Sequence, residues 1–76
     1  MPYFKDEAEK QAAKDGLKLA ILAVGTQTQL ANAIGVTQQS VAEWLRRGFA
    51  PAERCRKIEA VSGISCQDLR PDVFGR

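Results

Sequence analysis

The sequence predicts an all-α fold, a compact bundle of four or five short helices around one core with no sheet. Three observations carry this expectation. Leu17, Ala20, Ile21 and Val24 fall at i, i+3, i+4 and i+7, the apolar stripe of a helix. No segment shows the strict apolar–polar alternation of a half-buried strand. Single glycines at Gly16, Gly25, Gly35, Gly48 and Gly63 cut the chain into pieces of helix length.

Residues 5–24 are rich in Ala, Lys, Glu and Leu, all good helix formers. Gly16 interrupts the segment, and Asp15 is a candidate N-cap for a shorter helix over 17–24. Residues 1–15 are therefore expected as an N-terminal arm or a helix extension, and 16–76 as the folded domain. Tyr3 and Phe4 are expected to pack on that domain or fray. Gly25 ends the first helix. Thr26 with Gln29 forms a capping box that opens a second helix, Gln27–Ile34. Gly35 suits the left-handed conformation that stops a helix. Thr37 caps a third helix, Gln38–Arg47, which Gly48 ends. Pro51 stands at the first turn of a fourth helix over 51–61, where its missing N–H costs nothing. Ser62 and Gly63 break that helix, Ser65 with Asp68 caps one last turn through Leu69, and Pro71 is expected to force an extended tail.

Composition narrows the function classes. At 76 residues the chain has room for one domain. Hydrophobic residues at 45% and charged residues at 26% match an ordinary globular domain and not a disordered one. The longest apolar cluster, 19–24, is far short of the ~18 residues of a membrane span. Acids near the N-terminus stand where a signal peptide would be apolar, so a cytoplasmic protein is expected. There is no histidine, and Cys55 and Cys66 form no CxxC pair, so no metal or cofactor is expected and the thiols are read as buried or half-buried. Ser40 has no histidine to activate it, the acids are scattered, and no phosphate-binding glycine loop occurs. These features point away from an enzyme. The net charge of +2 is small, but Arg46, Arg47, Arg54, Arg56 and Lys57 crowd into one short stretch and are candidate phosphate contacts.

The informative segment is 27–47. Two short helices meet across a glycine turn, as in a helix-turn-helix. Ala31 is small where the helices cross, Ile34 and Val36 flank Gly35, and Val41, Trp44 and Leu45 give the third helix an inward face. Thr37, Gln38, Gln39, Glu43, Arg46 and Arg47 remain outward, with Ala42 between them. A glutamine amide both donates and accepts, matching N6 and N7 of adenine in the major groove. Ala42 suits a thymine methyl. Glu43 can accept from cytosine N4, or pair with Arg46 or Arg47 and touch no DNA.

The stretch 27–45 resembles the helix-turn-helix of phage Cro and repressor proteins, and Thr37-Gln38-Gln39-Ser40 resembles the start of the recognition helix of lambdoid repressors. From Leu17 to the tail Leu69-Arg70-Pro71-Asp72-Val73-Phe74 the chain is similar to all-helical Cro proteins and YdaS-type antitoxin-like regulators. This resemblance implies a lambda repressor-like fold. It implies base-facing roles for Thr37, Gln38, Gln39, Ala42 and Glu43, and phosphate-facing roles for Gln27 and Gln29. Arg46, Arg47 and Arg54 complete the expected backbone contacts. The implied function is sequence-specific binding of double-stranded DNA by a Cro-type repressor of phage or prophage origin. Two copies, paired in solution or only on DNA, would read a near-palindromic operator. The alternative is a helical protein-interaction module, such as an antitoxin that grips a partner protein.

Overall fold

An 18-residue helix, α1 (Glu7–Val24), is the spine against which the other elements pack. The structure is a computed structural model and describes residues 4–75; residues 1–3, Tyr3 among them, and Arg76 lie outside the described residues. Asp6 caps α1 by accepting from the Glu9 N–H at 2.9 Å, and Glu7 and Glu9 place negative charge at the positive end of the helix dipole.

Gly16 does not break α1, and Asp15 does not cap a shorter helix. Asp15 lies within α1 and accepts from Gln11 Nε2 at 2.9 Å. Glycine is present for a packing reason. A Cβ at position 16 would stand 2.5 Å from the Asp68 carbonyl oxygen, because the short helix α5 (Cys66–Leu69) crosses there. Glycine in a helix interior costs roughly 0.5–1 kcal/mol relative to alanine, and here that cost permits a backbone-to-backbone approach.

Two more helices follow, α2 (Gln27–Ile34) and α3 (Gln38–Arg47), as expected. The fourth helix differs from the expectation. Pro51 is extended (φ −66°, ψ 141°) and precedes a 3-10 turn, Ala52–Arg54, after which α4 runs Cys55–Ser62. The tail differs more. Pro71 begins a helical turn, α6 (Pro71–Phe74), instead of forcing an extended end. Only the residue before the proline is pushed out of helical geometry. Arg70 sits at φ −143°, ψ 75°, while Pro71 takes the first helical position, where no N–H is needed. Among the described residues there are six α-helices, four of them eight residues or longer, and no strand.

The core joins all the larger helices. Leu17, Leu30, Val41, Cys55, Ile58 and Leu69 are fully buried, with Ala20, Ala31, Ile34 and Trp44 around them. Both cysteines are free and buried. Burial pushes the Cys55 thiol up to about 12, so it stays protonated and inert at neutral pH. No described helix is long and apolar enough to cross a membrane.

A charged pair lies inside the fold, the side chains of Arg70 and Asp72 being 7% and 0% exposed. Arg70 donates to both carboxylate oxygens of Asp72, at 2.8 and 2.7 Å, and to the Ala50 carbonyl at 3.0 Å. Its guanidinium also lies 5.7 Å from the Phe4 ring centroid and 5.0 Å from that of Phe49. The tail is thereby tied to the loop after α3 and to the residues before α1.

A Gly16→Ala variant tests the close approach. Helix propensity alone would make it more stable, whereas the clash with Asp68 should destabilise it by about 1–3 kcal/mol. Denaturant unfolding reads the sign directly, and a gain in stability would mean that α5 does not pack there.

Candidate nucleic-acid interface

The turn between α2 and α3 is built by caps. Thr26 Oγ1 accepts from the Gln29 N–H at 3.1 Å, the hydroxyl half of the capping box. The Gln29 carboxamide folds back against Gly25, filling the space a side chain there would need. Gly35 is left-handed (φ 78°, ψ 32°), and the N–H groups of Gly35 and Val36 both donate to the Ala31 carbonyl. A β-carbon at Gly35 would meet nothing within 4 Å, so the requirement for glycine is one of backbone conformation. Thr37 Oγ1 accepts from the Ser40 N–H at 3.1 Å and lies 2.9 Å from Ser40 Oγ. These short-range bonds set both the angle and the starting point of α3.

α3 has two faces. Val41 and Trp44 are buried and Leu45 is partly so. Gln38, Gln39, Glu43, Arg46 and Arg47 are exposed, and Ala42 is half-buried among them. The two glutamines therefore leave the domain at the N-terminal end of the helix. Gln38 Nε2 donates to Gln27 Oε1 at 3.4 Å, joining the first residue of α2 to the first of α3. Gln39 and Glu43, one turn apart, share a shallow groove with Thr37, Ser40 and Trp44. Thr37 itself is committed to the cap, which leaves its methyl group and remaining oxygen lone-pair capacity at the surface.

Glu43 and Arg46 form a hydrogen-bonded ion pair on the solvent face. The guanidinium holds the Glu43 carboxyl below the usual carboxylate range, chiefly through that hydrogen bond, and Arg46 is raised in return. The Glu43 carboxylate is thus engaged by arginine. Arg47 donates from Nε to the Phe49 carbonyl at 3.4 Å, and its guanidinium lies 4.7 Å from the Phe49 ring centroid.

The remaining sequence-derived candidates are dispersed. Gln29 is exposed, with its amide turned to Gly25. Arg54 is half-buried at the end of the 3-10 turn, and Arg56 and Lys57 are exposed on α4, where Arg56 lies 5.8 Å from the Phe74 ring centroid. The structure brings Gln27, Thr37, Gln38, Gln39, Ala42, Glu43, Arg46 and Arg47 onto one helix-turn-helix surface. It leaves Arg54, Arg56 and Lys57 on other elements.

Two basic residues near α3 escaped the sequence analysis. Lys10 and Lys14 of α1 line a groove with Arg46 and Arg47. Their segment is acidic overall, which hid them; the available signal was their spacing of four residues on one helix face.

The chain is similar to several known proteins. The chain is 42% identical over 59 residues to "Putative transcriptional regulator YdaS" of Escherichia coli (strain K12), a match covering 74% of this chain and 60% of that protein. Thus the chain spans only about three-fifths of that relative's length. It is 38% identical over 68 residues to "Gene 30 protein" of Enterobacteria phage phi80, covering 87% of this chain and 93% of the phage protein. Among solved structures it is similar to the Cro protein from the "putative prophage element Xfaso 1" in Xylella fastidiosa strain Ann-1, with a TM-score of 0.77 and 43% identity over 80% of this chain and 97% of that one. The relatives whose descriptions state a role are a transcriptional regulator and a Cro protein, neither of them an enzyme. The family described as bacterial toxin YdaS matches residues 17–76, and this chain, all-helical and Cro-like, belongs to it.

Proposed function

We propose that this chain is a Cro-type transcriptional regulator that binds double-stranded DNA in a sequence-dependent way. The observation that carries the reading is the division of α3. Val41 and Trp44 are held in the core while Gln38 and Gln39 project from the helix's N-terminal end. A helix of this kind enters the major groove with its first residues toward the base edges. Gln38, steadied by Gln27, and Gln39 pair with adenine through donor and acceptor together. Ala42 meets a thymine methyl. Thr37, at the start of the helix, faces the bases beside them, while Gln27 and Gln29 face the flanking phosphates together with Arg46 and Arg47, and Arg54 is a peripheral backbone contact. The similarity to a regulator and to a Cro protein supports the same reading.

One short helix offers too few base contacts for selective occupancy of a site. Two copies on a near-palindromic operator, with recognition helices about 34 Å apart, supply the rest. Repression then follows from occupancy, and a DNA target places the protein in the cytoplasm.

Selection of bound duplexes from a random pool, followed by titration at several salt concentrations, tests the proposal. Affinity should fall steeply as salt rises, because counterions are released from phosphates. An interaction surface for a protein partner would leave duplex binding weak and unselective, and that outcome would sink the reading. Gln39→Ala should cost about 1–3 kcal/mol on the selected duplex and little on random sequence. Equal losses on both would remove Gln39 from base reading.

Glu43→Ala separates the two roles of that carboxylate. Loss of the ion pair frees Arg46 and removes a negative charge facing phosphate, so binding to random duplex should tighten and the salt slope should steepen by about one. A drop confined to the selected duplex would instead make Glu43 a base reader.

A further inference from the structure

The last residues of α3 open onto a groove whose opposite wall is the N-terminal half of α1. Lys10 and Lys14 line that wall, facing Arg46 and Arg47, and the groove holds about 380 Å³. Phe4 and Phe49, with ring centroids 5.6 Å apart in edge-to-face geometry, contribute its apolar side. Arg70 lies against both rings and is itself buried, so the phenylalanines are held in place from within. Among the lining residues four are cationic and one, Glu7, is anionic. The Glu7 side chain is 91% exposed and reaches Lys10 at 3.5 Å, a weak surface pair that an incoming anion can replace.

The groove stands at a telling distance from the glutamines. α3 has ten residues, and at 1.5 Å per residue its two ends lie about 15 Å apart. The major groove of B-DNA is about 12 Å wide. A helix whose first residues reach base edges therefore brings its far end to the strand that borders the groove. Four cations line the groove there, beside the two phenylalanine rings.

We propose that this groove receives the sugar–phosphate backbone of the bordering DNA strand, with Lys10 and Lys14 of α1 contacting phosphate beside Arg46 and Arg47. The arginines supply planar forks for phosphate oxygens, and the lysines supply mobile point charges. The inference rests on the DNA-binding reading above and deepens it. The DNA contact surface then extends beyond the helix-turn-helix to the N-terminal half of α1, a segment whose overall charge is unfavourable to DNA.

The test compares the full chain with a Lys10→Ala/Lys14→Ala double variant on selected and random duplexes between about 50 and 200 mM salt. The double variant should lose affinity for both duplexes by the same factor, keep its preference for the selected one, and show a salt slope shallower by about two. Lys18→Ala, at an exposed lysine of α1 outside the groove, should leave the slope unchanged. Thermal melting checks that each variant folds, and Lys10→Gln, at an exposed position, gives the same reading with a slope change of about one should the double variant melt early. An unchanged slope in a folded Lys10 or double variant, while the wild type binds DNA, overturns the groove and leaves the recognition helix standing. An equal flattening by Lys18→Ala also overturns it, since the effect would then be diffuse charge. A wild type that binds no duplex at any salt removes the DNA-binding reading, and the groove with it.

Discussion

The insertion of Val41 and Trp44 into the core is the contact on which the rest depends. Each is covered by residues from other helices, and burying side chains of this kind contributes about 1.5–3 kcal/mol apiece. Successive residues of a helix are rotated by about 100°, so a small turn of α3 about its axis would carry the glutamines toward the domain. The anchored pair prevents that turn. The caps at the two ends do the same for position along the axis: Thr37 starts the helix and Gly48, left-handed at φ 98°, stops it. Orientation and register of the exposed face are therefore set by core packing and by the helix caps.

The loop that follows α3 is held by a different kind of force. Arg70 is a buried charge, and removing it from water is costly unless its donors are matched. Here the two oxygens of Asp72 and the Ala50 carbonyl match them, and two aromatic rings cover the guanidinium. The arrangement connects three distant parts of the chain, the residues before α1, the loop after α3 and the tail. It also shapes the basic groove, since Phe4 and Phe49 border both the buried arginine and the four surface cations. A polar interaction in the interior thus organises an electrostatic surface outside.

On the exposed face the charges are balanced against one another. Glu43 engages Arg46, and Glu7 engages Lys10, so each side of the groove carries a basic group with a nearby acid. Such pairs contribute little to stability when exposed. Their consequence lies in the field presented to an anion, which they soften. Gln38 and Gln27 are coupled without charge, by an amide-to-amide hydrogen bond that links the two helices of the motif at their first residues.

Much of this was legible in the sequence, because it depends on local chemistry. Glycine after an apolar run, threonine before a helical one and the spacing of Val41 and Trp44 determine α2, the turn and α3 without help from distant residues. The run Thr37-Gln38-Gln39 could be assigned to an exposed face for the same reason. What the sequence did not disclose are features created by approach between segments far apart in the chain. Gly16 reads as a helix breaker until α5 is seen against it. Pro71 reads as the start of an extended tail until the packing of α6 and the clasp of Arg70 are in view. Lys10 and Lys14 are ordinary surface lysines until α1 lies beside the end of α3. Hydrogen bonds and side-chain spacing within a turn are encoded locally, whereas burial and electrostatic field are sums over neighbours that only the folded chain brings together.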